Sequence, residues 1–89
     1  MYKVEFAERA LKSLQKLDKP QVKLILAWIS KNLENSSNPK LLGKKLKHNL
    51  KYYYRYRIGN YRIIADIQEE KLIILILDVG HRNTIYDYR

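Results

Sequence analysis

Apolar and polar positions change period three times along the chain, and each change marks a structural element. Tyr2, Val4 and Phe6 alternate with Lys3 and Glu5, the two-residue period of a short strand with one buried face. From Ala7 the spacing lengthens. Ala7, Ala10, Leu11, Leu14 and Leu17 recur at three and four residues and make one apolar helix face. Asp18-Lys19-Pro20 ends that pattern, because proline is accepted in the first turn of a helix and not in its interior. A second helix follows, with Val22, Ile25, Leu26, Ile29 and Leu33 inward and Trp28 on the flank of the stripe, packing on the sheet or its edge. Glu34 to Pro39 reads as its stop and a loop.

The segment Lys40 to Lys51 has no clear period, and Leu41, Leu42, Leu46 and Leu50 are its candidate anchors to a core. Strand periodicity returns at Tyr52. Tyr52 to Ile58, Tyr61 to Ile67 and Leu72 to Val79 read as three strands, the first two joined at Gly59-Asn60, where a tight hairpin turn needs the positive φ that glycine accepts. Gln68 to Lys71 makes the next turn. The last strand is apolar on both faces and belongs inside the sheet. The order is β-α-α-β-β-β, an α+β domain with two helices packed on one face of an antiparallel sheet. Residues 1–89 suffice for a single domain.

Composition sharpens this picture mainly through charge. Eighteen Lys and Arg against nine Asp and Glu give a formal +9. Between Glu34 and Asp66 there is no acidic residue, while Lys40, Lys44, Lys45, Lys47, Lys51, Arg55, Arg57 and Arg62 all fall there. That asymmetry is the footprint of a polyanion binder. There is no cysteine, which excludes disulfides and thiolate metal sites and fits a reducing cytoplasm. The longest apolar run, Leu72 to Leu77, is far short of a membrane span, and the N-terminus lacks the pattern of a secretory signal.

The hairpin turn sets a register. Ile58 then faces Tyr61, Arg57 faces Arg62, Tyr56 faces Ile63 and Arg55 faces Ile64. Alternation puts Tyr54, Tyr56, Ile58, Tyr61, Ile63 and Ala65 under the helices, and Tyr53, Arg55, Arg57, Arg62 and Ile64 on the open face. Two arginines directly opposed and a third one pleat away destabilise a sheet unless an anion lies between them. Guanidinium groups match phosphate bidentately. Asp66, on the same face, could neutralise one arginine but not three. At the end of the last strand, Asp78-Val79-Gly80-His81-Arg82 and then Tyr86 present a second set of polar groups. Histidine is the side-chain type suited to proton transfer near neutral pH, which makes His81 a candidate acid or base, and Tyr86 could serve as a base where cations lower its pKa.

These residues resemble a known family. Tyr54-Arg55-Tyr56-Arg57-Ile58-Gly59-Asn60-Tyr61-Arg62 is similar to the YRxRxGdYR hairpin of RelE-type toxins, and Val79-Gly80-His81-Arg82 with Tyr86 is similar to their VGHR…Y ending. The resemblance covers nearly the whole chain and implies the RelE/ParE superfamily, with its RelE-like microbial RNase-type fold. It further implies a metal-independent, cofactor-free endoribonuclease that cuts mRNA in the ribosomal A site by attack of a ribose 2′-hydroxyl on the adjacent phosphate. Arg55, Arg57, Arg62, His81, Arg82 and Tyr86 are then the catalytic set. Arg55 and Arg57 occupy positions that are lysines in some relatives. Arginine stays charged and cannot shuttle protons, so Tyr86 as base and His81 as acid or stacking ring are the expected proton-handling groups. Lys40, Lys44, Lys45, Lys47 and Lys51 are the expected RNA- and ribosome-binding lysines. The implied partners are a RelB-like antitoxin, the ribosome and mRNA, with operator DNA reached only through the antitoxin and no membrane. Ile64, Ile74 and Ile76, with the first helix, are candidate antitoxin-docking stripes. The rival expectations are a ParE-type gyrase inhibitor sharing the fold, a non-catalytic nucleic-acid-binding module, and an inactive family member.

Overall fold

In the computed structural model, which describes residues 1–81, β1 (Lys3–Phe6) leads into α1 (Glu8–Gln15) and α2 (Lys19–Asn32). Four strands follow: β2 (Lys44–His48), β3 (Lys51–Ile58), β4 (Tyr61–Gln68) and β5 (Ile73–His81). They form one sheet in the order β1-β5-β4-β3-β2. All neighbours are antiparallel except β1 and β5, which run parallel. The α+β class and the helix pair on one sheet face are as the periodicity predicts. The sheet is mixed, however, and has a strand more than the β-α-α-β-β-β order.

The added strand is β2, within the lysine-rich segment. An edge strand needs hydrogen bonds on one side only and no buried face, so it shows no apolar alternation. Its lysines discourage further strands from pairing onto it. Leu41, Leu42 and Leu50 do not anchor it: they are 76%, 55% and 95% exposed, and only Leu46 is half-buried. The parallel pairing arises because the α1–α2 pair carries the chain from β1 across the sheet to its far edge, whence β2 to β5 return strand by strand.

Beneath the helices, Ala10 and Leu14 of α1 and Ile25, Ile29 and Leu33 of α2 pack on Tyr56, Ile58, Ile63, Ala65, Ile74, Ile76 and Val79. Tyr2, Val4 and Phe6 flank this core as their alternation predicts. Trp28 lies against Tyr56, ring centroids 5.6 Å apart. Both helical stripes are narrower than the sequence spacing suggests. Leu11 and Leu26 lie at their margins and are exposed.

The β3–β4 register is the one the Gly59-Asn60 turn predicts, with Arg57 opposite Arg62 and Arg55 opposite Ile64. Gly59 has φ 57°, in the left-handed region. Between β4 and β5 a bulge intervenes: Ala65 pairs with Ile76, and the preceding Ile64 pairs with Asp78. The expected apolar stripe of Ile64, Ile74 and Ile76 on the open face is therefore absent. Ile74 and Ile76 share the helix-covered face with Ala65, and Ile64 is itself buried. None offers a docking surface. Among the described residues, no helix is long and apolar enough to cross a membrane.

Tyr56 ties the loop before β2 to the core. Its buried hydroxyl donates to the Pro39 carbonyl, and burial pushes its phenol well above the ordinary range. Gly43 lies flat against the same ring: a Cβ there would meet Tyr56 Cε1 at 2.9 Å and Tyr54 Cδ2 at 3.3 Å. Gly43→Ala is expected to cost about 1–3 kcal/mol through overpacking. Tyr56→Phe should cost a similar ~1–3 kcal/mol by leaving the Pro39 carbonyl unpaired. Urea unfolding of each variant checks both.

Candidate functional site

The open face of the β2–β3–β4 strands carries a row of cations set by register alone. Lys44 faces Arg55 across β2 and β3, and Arg57 faces Arg62 across β3 and β4. Arg55 and Arg57 are two residues apart on one strand, roughly 7 Å at the usual rise. Lys44, Arg55 and Arg57 line a shallow hollow together with Leu42 and Gly43. Opposite Arg62 on β5 stands Gly80, which carries no side chain.

Two of the nearest carboxylates are engaged elsewhere. Asp66, the candidate neutraliser, accepts from Lys51 Nζ at 3.0 Å and from Gln68 Nε2 at 3.2 Å. Glu69 pairs with Lys40. Among the described residues, no carboxylate forms a salt bridge with Arg55 or Arg57. Arg62 donates from Nη1 to the Tyr61 carbonyl at 3.3 Å. The Nε of Arg55 is buried with no hydrogen-bond partner. Burial first, and the neighbouring Arg57 charge second, press its pKa below the ordinary guanidinium value. A buried donor without an acceptor and a like-charge cross-strand pair both cost stability. An anion bound between these groups would relieve both.

The sequence-predicted residues divide as follows. Arg55, Arg57 and Arg62 come together with Lys44. Lys40 and Lys51 are tied to Glu69 and Asp66, and these pairings hold both ammonium groups above their usual pKa. Lys45 and Lys47 face the other side of the sheet, opposite Tyr54 and Tyr52. His81 is also turned from the arginines: it pairs with Tyr61, its ring meets that tyrosine edge-on at 5.8 Å, and it borders a cleft against α1 with Arg9, Lys12 and Lys16. His48 ends β2 with its ring 6.3 Å from that of Tyr53. Arg82 and Tyr86 lie outside the described residues. No group of three or more His, Cys, Asp or Glu among the described residues is placed to hold a metal.

One residue stands out without having been assigned a role. Asp78 is buried, accepts from Ser13 Oγ at 2.7 Å and from the Val79 amide at 2.9 Å, and pairs with Arg9 Nε at 3.1 Å. Arg9 and Ser13 stand one helical turn apart on α1, so this carboxylate clamps the helix to the strand end that leads to His81. Its signal in the sequence is a lone acid inside an otherwise apolar strand.

The family model described as "ParE toxin of type II toxin-antitoxin system, parDE" matches residues 4–86. Toxin RelE3 of Methanocaldococcus jannaschii is 37% identical, with 97% of each chain covered. Among solved structures, the toxin–antitoxin complex RelBE2 of Mycobacterium tuberculosis matches with a TM-score of 0.80 at 31% identity, covering 91% of this chain and 98% of that one. The RelE–RelB complex of Pyrococcus horikoshii matches with a TM-score of 0.73 at 28% identity, covering 93% and 97%.

The cost of the arginine row is measurable in the absence of ligand. Arg57→Thr replaces a like-charge cross-strand pair by a β-branched residue and is expected to stabilise the free protein by about 0.2–1 kcal/mol. A higher urea midpoint at unchanged m-value is the expected reading.

Proposed function

Because the chain belongs to the ParE toxin family of type II toxin–antitoxin systems, we propose that it is the RelE-type member of such a pair, an endoribonuclease that cuts mRNA in the A site of translating ribosomes. The observation that carries this reading is the arginine row on the sheet face turned from the helices: Arg57 opposes Arg62, and Arg55, one pleat away, keeps a buried donor without a partner. Preorganised donors of this kind stabilise charge as it develops on a phosphate.

In this reading the ribose 2′-oxygen attacks the adjacent phosphorus, the P–O5′ bond breaks, and the products are a 2′,3′-cyclic phosphate and a 5′-hydroxyl. Arg55, Arg57 and Arg62, with Arg82, hold the phosphate and neutralise the extra negative charge of the transition state. Tyr86 takes the proton of the attacking hydroxyl, and the departing 5′-oxygen takes a proton from water to become the 5′-hydroxyl. The position of His81 beside Tyr61, on the helix-covered face, favours a stacking or positioning role over proton delivery to the phosphate held by the arginines. Lys44, opposite Arg55, extends the phosphate grip along the RNA. No metal or other cofactor enters this scheme.

The partner follows from the same membership. The Mycobacterium tuberculosis and Pyrococcus horikoshii structures are toxin–antitoxin complexes, and we assign this chain a RelB-like antitoxin that suppresses it and provides its only route to operator DNA. The second reading is inhibition of DNA gyrase, favoured by the ParE description of the matching family model. The arginine row weighs against it, since a gyrase inhibitor has no need of a phosphate grip.

Primer extension on a defined message in a purified translation system separates the two. Wild type is expected to cut at A-site positions only when ribosomes are present. Arg62→Ala and Arg55→Ala should each lower the single-turnover rate by about 10²–10³-fold, the usual effect of removing one transition-state donor. His81→Ala should have the smaller effect. Intact message together with gyrase-dependent DNA cleavage would transfer the assignment to the second reading.

A further inference from the structure

Strand β5 is held unevenly along its length. β1 accompanies it only from Ile73 to Ile76, and a bond from the Ala7 amide to the Ile76 carbonyl ends that pairing. Among the described residues no strand flanks β5 on that side beyond Ile76. At the same point the β4 ladder is interrupted: Ala65 pairs with Ile76 and Ile64 with Asp78, so Leu77 is left over in a bulge. Asp78 to His81 therefore form an edge extension past a bulge, with β4 on one side only. This extension carries Gly80 opposite Arg62, and the candidate residue Arg82 follows His81 directly in the chain.

We propose that Asp78 is a positioning residue for the reaction: held by Ser13 and Arg9 of α1, it fixes the edge extension of β5, so that Gly80 stays opposite Arg62 and Arg82 starts from a fixed point. This rests on the ribonuclease reading above and deepens it by naming a residue that acts on the chemistry through another.

Three observations favour the role. The carboxylate sits at the joint itself, the first residue after the bulge, and its bonds come from both sides of that joint. Oδ1 accepts from the Ser13 hydroxyl at 2.7 Å and from the Val79 amide at 2.9 Å, while Oδ2 meets Arg9 Nε at 3.1 Å. The anchor is stiff, because α1 is seated in the core through Ala10 and Leu14, on either side of which Arg9 and Ser13 stand. Finally, a buried ion pair is a poor source of stability compared with an apolar residue of similar size. What a carboxylate supplies at this place, and a further Ile or Leu would not, is direction: three bonds that fix the strand against the helix in one arrangement.

The test uses the full-length protein, Asp78→Asn, which removes the charge at constant shape, and the paired variants Ser13→Ala and Ser13→Thr. Single-turnover cleavage of message on programmed ribosomes is read over a range of ribosome concentration, and amide hydrogen exchange is read in the free protein. Asp78→Asn is expected to lower the saturated rate by about 10–10²-fold, the cost of a small misplacement of reacting groups, with the half-saturating concentration changed less than about twofold. Ser13→Ala should lose roughly three- to tenfold, and Ser13→Thr, which keeps the hydroxyl, should return to within about twofold of wild type. In an Arg82→Ala background the effect of Asp78→Asn should shrink to less than about twofold, because a residue that acts through Arg82 has nothing left to position. Exchange at Val79 to His81 should quicken by about tenfold or more, while that of Tyr56 and Ile63 stays as in wild type. If Asp78→Asn does not fold, Ser13→Ala carries the same comparisons.

A saturated rate within twofold of wild type in the folded variants would overturn the proposal, as would unchanged exchange at Val79 to His81. An equal loss with and without Arg82 would overturn it in favour of a general structural role, and a loss seen only in half-saturation would make the clamp part of a binding surface. Intact message with the wild-type protein would instead bring down the ribonuclease reading and this role with it; because exchange is read without ribosomes, that failure is distinct from failure of the clamp.

Discussion

The pairing register of β3 with β4 is the constraint on which the rest of the molecule depends. A two-residue turn at Gly59-Asn60, with Gly59 in the left-handed region, sets that register. A slip of one residue would turn the side chains of one strand to the opposite face from those of the other. Either Ile63 would leave the core and Arg62 enter it, or Tyr56 and Ile58 would leave it and Arg55 and Arg57 enter. Burial of the apolar set therefore holds the charged set in place. The core and the candidate site are two consequences of a single alignment, with the hydrophobic energy of one face securing the electrostatic geometry of the other.

That geometry works against the folded state. Arg57 opposite Arg62 repel, and Arg55 keeps a buried donor unpaired, while Asp66 and Glu69, the acids nearest in sequence, are bound to lysines. Pairing these acids with lysines leaves Arg55 and Arg57 without a carboxylate partner among the described residues. The lysine–carboxylate bridges add little stability of their own at a solvated surface. Their consequence is to determine which cations remain uncompensated and thus where a polyanion is drawn. Asp78 has a mechanical counterpart to this role: buried, and bound by Arg9 and Ser13, it fastens α1 to the end of β5.

The same alternation explains why one run of basic sequence is divided between two surfaces. The chain from Lys44 to Lys51 turns back on itself as β2 and β3, so its cations are distributed between both faces of an edge hairpin. In the sequence they look like one cluster. In space, Lys44 belongs with the arginines, Lys40 and Lys51 belong with acids, and Lys45 and Lys47 lie behind the sheet.

Much of this was legible in the chain itself, for a local reason. Helices α1 and α2, strand β1, the β3–β4 hairpin and its register follow from periodicity and from turn residues, whose physics involves neighbours a few positions apart. The co-facial arginines follow too, since register and alternation suffice to place them. What tertiary structure alone decided involves partners distant in sequence. The parallel pairing of β1 with β5 has no local signature. Edge strand β2 buries no face and so shows no alternation. The bulge at Ile64/Ala65 shifted the faces of β5, which moved Ile74 and Ile76 under the helices and turned His81 toward Tyr61. The choice of acid for each lysine was equally beyond the sequence, because an ion pair depends on where folding brings two side chains and not on their separation along the chain.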